Sequence, residues 1–304
     1  MVVFLVAQPD SGKSRVTPDI GATFDDGFVD VDSDRYKPFH PEYDRLMAED
    51  DQSMALHTGA AGRRWAQMMH DHIREHRFNA VVQSTAGNPA SVVKDMRRYH
   101  AAGYRIAAAF LGVPEAMSQQ GILKRYYDQV QDRGGGRLTV PENARRSYVG
   151  VPALADRIDA DRIVGEVAVF RRGEGEPGYH NQLDPNGEWE RPPGLRAAIE
   201  VERNRPWTAH ETTDFLTVQA QLQTPLHPAT LQAHLGPGWS MKVAETGRLA
   251  QPLMHPDPAM KSRPSAFSVA FPTKITPGHP LAPPPHQTIK PVHRPEPPPH
   301  LGRG

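Results

Sequence analysis

The chain opens with Val2-Val3-Phe4-Leu5-Val6-Ala7-Gln8-Pro9-Asp10-Ser11-Gly12-Lys13-Ser14. The apolar, β-branched run Val2–Val6 predicts a buried strand. The residues after it match the phosphate-loop pattern G-x-x-x-x-G-K-[ST] at Gly12, Lys13 and Ser14, with Ala7 in place of the first glycine. Backbone N–H groups of such a loop surround phosphates, and the following helix adds its positive N-terminal end. The stretch therefore predicts nucleotide binding, with an ordinary Gly/Ser turn as the alternative.

Within this loop, two side chains have defined chemical tasks. Lys13 would reach the β and γ oxygens of a bound nucleotide, and the Ser14 hydroxyl would bind Mg²⁺. The candidate nucleotide-binding residues are Gln8, Pro9, Asp10, Ser11, Gly12, Lys13 and Ser14.

Composition narrows the class of protein. The 304 residues include 35 basic and 35 acidic side chains, so no broad basic field for nucleic acid is indicated. The absence of cysteine excludes disulfides and thiolate chemistry. The first apolar run is too short for a signal or transmembrane helix. We expect a cytoplasmic protein without nucleic-acid or membrane partners.

Helical and strand patterns alternate through the first two-thirds of the chain. Strands are predicted over residues 2–6, 28–32, 79–83, 105–113 and 164–170, with helices between them. This order, with the phosphate loop after the first strand, predicts an α/β fold built on a parallel sheet flanked by helices. Ligands of such sheets bind at the carboxyl ends of the strands, where Lys13, Asp32 and Gln83 fall.

The C-terminal third has a different composition. A hairpin is predicted over residues 179–189 and a capped helix from Thr208, together forming a small helical appendage. Fifteen of the 31 prolines lie in the last 54 residues, which predicts a disordered tail, or alternatively a docking segment for an aromatic groove. The predicted units are a kinase-like core at 1–175, an appendage at 176–235 and the tail at 236–304.

Acidic and basic residues after the strands suit phosphoryl transfer. A kinase acting on a hydroxyl needs a carboxylate near the acceptor, and Asp32 or Asp34 can supply it. Two arginines can neutralise the negative charge of the transferred phosphoryl group. They are Arg125, on a predicted helix, and Arg137, after the hinge Gly134-Gly135-Gly136. The alternatives are a turn or helix cap for the acids and a solvated surface for the arginines.

These motifs together resemble the zeta toxin family of P-loop kinases over roughly residues 1–150. The resemblance rests on Gln8-Pro9-x-Ser11-Gly12-Lys13-Ser14, Asp32-x-Asp34, His40-Pro41, Tyr43-Asp44, Arg125-Tyr126 and Arg137. It implies ATP-dependent phosphorylation of the 3′-hydroxyl of the amino sugar of UDP-N-acetylglucosamine, with Mg²⁺. It also implies a toxin of a toxin–antitoxin pair whose small antitoxin protein blocks the ATP site.

The resemblance also assigns roles to individual residues. It implies that Lys13 and Ser14 bind phosphate and Mg²⁺, that Lys13 takes part in catalysis, and that Asp34 is the base. It implies that Arg125 and Arg137 stabilise the transferred charge. Asp32, Gln83 and Thr85 would contact the nucleotide-sugar substrate.

The sequence departs from the family pattern at three positions. Ala7 and Asp10 stand where family members carry glycine, and Gln83-Ser84 stands where they carry a glutamate. The charge of Asp10 beside a triphosphate is unfavourable, and Gln83 cannot act as a carboxylate. Two alternatives therefore stay open: a P-loop kinase for another small hydroxyl compound, or a catalytically weakened nucleotide-binding module with a partner-binding tail.

Overall fold

The fold is built on a six-stranded sheet. The computed structural model describes residues 1–51, 54–224, 235, 236 and 238–256. The strands are β1 (Val2–Val6), β2 (Val29–Val31), β3 (Ala80–Ser84), β4 (Ile106–Gly112), β5 (Glu166–Arg171) and β6 (Pro177–Gln182). Their order is β2-β3-β1-β4-β5-β6, with β6 antiparallel to β5 and every other pair parallel. The predicted α/β class with a P-loop kinase-like sheet is confirmed.

Helices connect and cover the strands. They are α1 (Lys13–Gly21), α2 (Tyr43–Asp50), α3 (Met54–His76), α4 (Pro89–Ala101), α5 (Glu115–Arg133), α6 (Pro141–Asp161), α7 (Leu195–Asn204), α8 (Ala209–Gln223) and α9 (Trp239–Ala250), with 3-10 helices at Ser33–Phe39 and Gln251–Leu253. Two of the predicted caps are present. Asn88 accepts from the backbone N–H of Ser91 at the start of α4, and Thr208 forms a capping box with Glu211. None of the described helices is both long and apolar enough to cross a lipid bilayer.

Strand β1 lies at the centre of the sheet and supplies both hydrophobic cores. Its side chains alternate between the two faces, as the pleat of a strand requires. Val2, Phe4 and Val6 pack under α4, α6 and α7 on one face. On the other face, Val3 and Leu5 pack against α8 and against the first turn of α5. Burial of β1 on both faces fixes the loop that follows it at the carboxyl edge of the sheet.

A third cluster joins α5, α8 and α9. Trp239 of α9 packs on the rings of Tyr126 and Tyr127 and donates its indole N–H to the carbonyl of Leu222. The prediction of disorder from residue 236 is therefore wrong for 238–256, because Trp239 and Val243 bury one face of α9. The prediction for residues 257–304 lies outside the described residues.

The predicted boundary at residue 175 falls inside the sheet. β6 pairs with β5, and α7 contributes Leu195 and Ile199 to the same core as β1. The hairpin therefore belongs to the sheet and is not a separate appendage. Its turn has the predicted form, with the backbone N–H of Gly187 donating to the carbonyl of Asp184.

Candidate functional site

The phosphate loop wraps around Lys13. It leaves β1 at the carboxyl edge of the sheet and turns into α1 through Gly12, whose φ of 96° is left-handed. The ammonium of Lys13 donates to the carbonyls of Ala7 at 2.8 Å and Gln8 at 3.0 Å. Burial lowers the pKa of Lys13 to about 8, against the opposing effect of nearby carboxylates, Asp10 foremost. A phosphate group would supply the counter-charge that this buried ammonium needs.

A single cavity of about 1210 Å³ brings most of the predicted site residues together. Those that line it are Pro9, Asp10, Gly12, Lys13, Ser14, Asp32, Asp34, Gln83, Thr85, Arg125 and Arg137. They come from β1, β2, β3 and α5 and from the segments that follow these elements. The carboxyl ends of neighbouring parallel strands meet at this edge, which is why distant stretches of sequence converge there.

Gln8 and Ser11 do not line this cavity. Both are buried, and the Gln8 amide donates to the carbonyl of Val113 at 2.5 Å while its oxygen accepts from Arg203 at 3.0 Å. Arg203 also stacks over the ring of Tyr148. The Gln8 side chain therefore ties the loop to α7. Its role in nucleotide binding stays a prediction.

Asp34 lies between two cations. Its carboxylate accepts from Arg137 at 2.6 Å and forms an ion pair with Lys37 at 2.7 Å. Burial alone would raise the pKa of Asp34, but Arg137 and Lys37 outweigh burial and hold this pKa well below its usual range. Asp34 is therefore ionised at neutral pH, as an acceptor of a hydroxyl proton must be.

Asp32 has a structural contact as well as a place in the cavity. Its carboxylate caps the 3-10 helix Ser33–Phe39 by accepting from the backbone N–H of Asp34 at 2.9 Å. Burial raises the pKa of Asp32, partly opposed by this hydrogen bond. The helix-cap alternative thus applies to Asp32, whereas Asp34 presents its carboxylate to arginine.

Asp10 and Arg125 form another ion pair of the cavity. Asp10 has a left-handed φ of 55°, and its Oδ1 lies 3.1 Å from Arg125, which also donates to the Thr139 hydroxyl at 2.8 Å. The other carboxylate oxygen of Asp10 is buried without a hydrogen bond. Burial raises the pKa of Asp10, while Arg125 and Lys13 lower it. The loop can approach α5 this closely because residue 121 is glycine: a Cβ there would lie 2.9 Å from Asp10.

The segment that carries Arg137 is anchored. The backbone N–H of Gly136 donates to Asp51 at 2.6 Å, and the backbone N–H of Arg137 donates to Gln129 at 2.7 Å. A Cβ at residue 136 would lie 2.8 Å from Gln129. Gly136 therefore allows close packing on α5, and these hydrogen bonds place Arg137 beside Asp34.

Gln83 and Thr85 stand at and just beyond the end of β3. The Gln83 amide donates to Asp30 at 2.9 Å, and Asp30 forms an ion pair with Arg35. Thr85 is exposed on the cavity wall. Gln83 thus links β3 to β2 through Asp30. Gln83 and Thr85 both stay candidates for contact with the acceptor.

The sequence reasoning missed four arginines that line the cavity, Arg15, Arg63, Arg146 and Arg172. Arg172 follows β5 directly, and its guanidinium Nε lies 3.8 Å from the Cβ position of residue 12 in the phosphate loop. Its place after a predicted strand, at the same edge as Lys13, was a signal available in the sequence. The other three stand on helices, where the sequence alone does not separate a cavity wall from a solvated surface.

The central parallel strand, phosphate loop and cavity define a P-loop kinase-like protein. The family model described as zeta toxin matches residues 1–184. The chain belongs to the zeta toxin family, as the motifs predicted.

Curated relatives and a solved structure agree with this family. The chain is 21% identical to Toxin zeta of Enterococcus hirae over 240 residues, which cover 74% of this chain and 83% of the relative. It is also 21% identical to Toxin zeta of Streptococcus pyogenes over 183 residues, 60% of this chain and 63% of that relative. A structure from a study of the PezAT chromosomal toxin–antitoxin system of Streptococcus pneumoniae has a TM-score of 0.59 at 14% identity, covering 78% of this chain and 87% of that one. This structural likeness supports the fold.

Proposed function

We propose that the protein is an ATP-dependent kinase that phosphorylates the 3′-hydroxyl of the amino sugar of UDP-N-acetylglucosamine. The observation that carries the proposal is one cavity that combines the phosphate-loop lysine, an ionised aspartate and two arginines. Family membership and the resemblance of the motifs support the choice of acceptor. The cavity volume of about 1210 Å³ exceeds the roughly 300–1,000 Å³ of pockets for one small ligand, as a site for two substrates requires.

The residues divide the chemistry between them. Lys13 binds the β- and γ-phosphates, and Asp34 orients the acceptor hydroxyl and takes its proton as the oxygen attacks the γ-phosphorus and ADP leaves. Arg125 and Arg137 neutralise the charge on the transferred phosphoryl group. Both arginines already line the cavity, within hydrogen-bond distance of carboxylates that a phosphate group would replace.

The residues present fit a magnesium ion. The Ser14 hydroxyl and the Asp32 carboxylate both line the cavity and offer the hard oxygen ligands that Mg²⁺ prefers. When bound, the ion would supply positive charge to the β- and γ-phosphates.

We also propose that the chain acts as the toxin of a toxin–antitoxin pair, with a small antitoxin protein as partner. The support is family membership and the similar pneumococcal structure, which comes from a study of a toxin–antitoxin system. Co-expression with the neighbouring small reading frame in its host tests this partner: we expect growth to be restored and a stable complex to be purified. Growth arrest that no neighbouring product relieves would contradict it.

ATP consumption by the purified chain tests the kinase. The assay compares reactions with and without UDP-N-acetylglucosamine for the unaltered protein, Lys13→Ala and Asp34→Asn. Exposed residues outside the cavity provide matched controls, Lys94→Ala and Asp19→Asn. We expect sugar-dependent consumption that is lost in the first pair of variants and retained in the controls. ATP consumption with a different hydroxyl compound, and none with this sugar, would contradict the proposed acceptor and still support kinase activity.

A weakened nucleotide-binding module is the second candidate, and one observation favours it. Asp10 forms an ion pair with Arg125, whose guanidinium the proposed reaction needs to bind phosphate. ATP binding without ATP turnover, whichever acceptor of a substrate panel is added, would support this module. Activity that appears in Asp10→Gly would show that Asp10 alone is responsible.

A further inference from the structure

The last turn of α3 carries three metal-ligating side chains on one face. His72, Glu75 and His76 have the spacing i, i+3 and i+4, which places side chains together on a helix surface. All three are exposed, and one ligand atom from each lies within 4.8 Å of the others. Within the described part of the chain, none of them forms a hydrogen bond or an ion pair with another residue.

Aromatic packing holds the two imidazoles side by side. The ring centroids of His72 and His76 are 4.3 Å apart, and the ring of Phe78 lies 5.8 Å from the first and 5.6 Å from the second. Phe78 itself is fixed by its backbone N–H, which donates to the carbonyl of Ile73. The paired rings therefore keep their nitrogens near each other without any hydrogen bond to break before a metal binds.

We propose that His72, Glu75 and His76 form a surface binding site for Zn²⁺. Two imidazole nitrogens and a carboxylate oxygen are ligands that zinc accepts, with bonds of about 2.0–2.2 Å. Ligand atoms around one tetrahedral zinc lie roughly 3.4 Å apart on that bond length. The three ligand atoms already lie within 4.8 Å of one another, so small side-chain rotations suffice to bring them to that spacing. Water would complete the coordination. Nitrogen ligands favour zinc over Mg²⁺, which prefers oxygen alone.

The proposed zinc site is separate from the phosphate-loop cavity. Residues earlier in α3, Arg63, Gln67 and His70, line the cavity at the carboxyl edge of the sheet. The three zinc ligands do not line that cavity and are exposed in the last turn of the same helix. Two residues turn an α-helix by about 200°, so His72 faces the side opposite His70. Zinc binding there does not depend on the proposed kinase activity.

Calorimetric titration of the full chain with ZnCl₂ at pH 7.5, in a buffer that does not bind zinc, tests the site. The chain has 15 histidines, so the readout is the difference between variants and not the total zinc bound. We expect His72→Ala and His76→Ala each to weaken one binding step at least tenfold, and Glu75→Gln to weaken it less. His57→Ala, on the same helix, and His100→Ala are the matched controls and should leave that step unchanged.

Two outcomes would overturn the proposal. One is a double variant, His72→Ala with His76→Ala, that is folded by circular dichroism and binds zinc with unchanged stoichiometry and affinity. The other is a binding step that MgCl₂ at millimolar concentration abolishes, since an oxygen-only site would then explain it.

Discussion

Removing the charge of Asp10 should strengthen ATP binding. In the structure, Asp10 stands in the phosphate loop beside Lys13 and holds Arg125 at 3.1 Å. Asp10→Asn keeps the size of the side chain and tolerates the left-handed φ, so this change isolates the charge. Asp10→Gly also removes the conformational cost of a left-handed residue, about 1–2 kcal/mol.

The expected size follows from Coulomb's law. A carboxylate about 6 Å from a phosphate charge, at an effective dielectric of about 20, costs on the order of 3 kcal/mol per charge. Arg125 and water in the open cavity screen part of this repulsion. If about half survives, the gain corresponds to roughly tenfold in the dissociation constant, since about 1.4 kcal/mol is a factor of ten. The freed Arg125 adds to this gain because its guanidinium can then bind phosphate.

Calorimetry with a non-hydrolysable ATP analogue measures this effect without any assumption about the acceptor. We expect tighter binding for both Asp10 variants and an unchanged affinity for Asp19→Asn, an exposed acid of α1 outside the cavity. Unchanged or weaker binding by a folded Asp10→Asn variant would refute the reasoning. It would show that the pair with Arg125 organises the loop for ATP instead of opposing it.

Three further predictions concern the same cavity. Burial lowers the pKa of Lys13 to about 8, and a bound phosphate would favour the charged form of this lysine. ATP affinity should therefore fall as pH rises through 8, and ATP binding at pH 8 should take up protons. A binding enthalpy that is equal in two buffers of different ionisation enthalpy would contradict this. Gly121→Ala should lower the free energy of unfolding, measured in urea, by about 1–3 kcal/mol, because the added Cβ would lie 2.9 Å from Asp10. The control Gly238→Ala, whose Cβ would meet no atom within 4 Å, should leave the stability unchanged. Equal stabilities of the two variants would mean that the phosphate loop relaxes freely. Asp34→Asn should lower kcat by about 10²–10⁴ while ATP binding changes less than about threefold, and a loss of ATP binding instead would assign Asp34 to the nucleotide.

The sheet and the phosphate loop were predictable because each rests on local sequence signals. A β-branched apolar run and the Gly12-Lys13-Ser14 motif are contiguous, and the strands alternate with helical patterns. Helix α9 was missed because the proline content beyond it dominated the interpretation. Its buried residues, Trp239, Val243, Thr246 and Ala250, nevertheless recur at helical intervals. Helix α6 was also left out; Pro141 stands at its first position, and two residues of low helix propensity, Gly150 and Pro152, lie within its buried stripe.

The ion pairs of the site could not be predicted from sequence. The family resemblance placed Asp34, Arg125 and Arg137 in one site, and the structure brings all three to one cavity. Which acid meets which arginine depends on packing between segments far apart in the chain. The contact of Asp10 with Arg125, for example, requires the close approach of the loop to α5 at Gly121. Such distances follow from tertiary packing, which no local pattern encodes.

The two ion pairs have opposite consequences for the proposed reaction. When Arg137 moves its hydrogen bond from Asp34 to a phosphate group, the Asp34 carboxylate loses the cation that most lowers its pKa, and becomes a stronger base as the phosphoryl group arrives. If Arg125 made the same move, Asp10 would be left buried with a raised pKa and without its ion pair, while its other oxygen already lacks a hydrogen bond. The first exchange couples phosphate binding to proton removal, whereas the second only opposes phosphate binding. On this reasoning we expect Asp34 and Arg137 to form the productive pair and Asp10 to reduce the affinity of this chain for ATP.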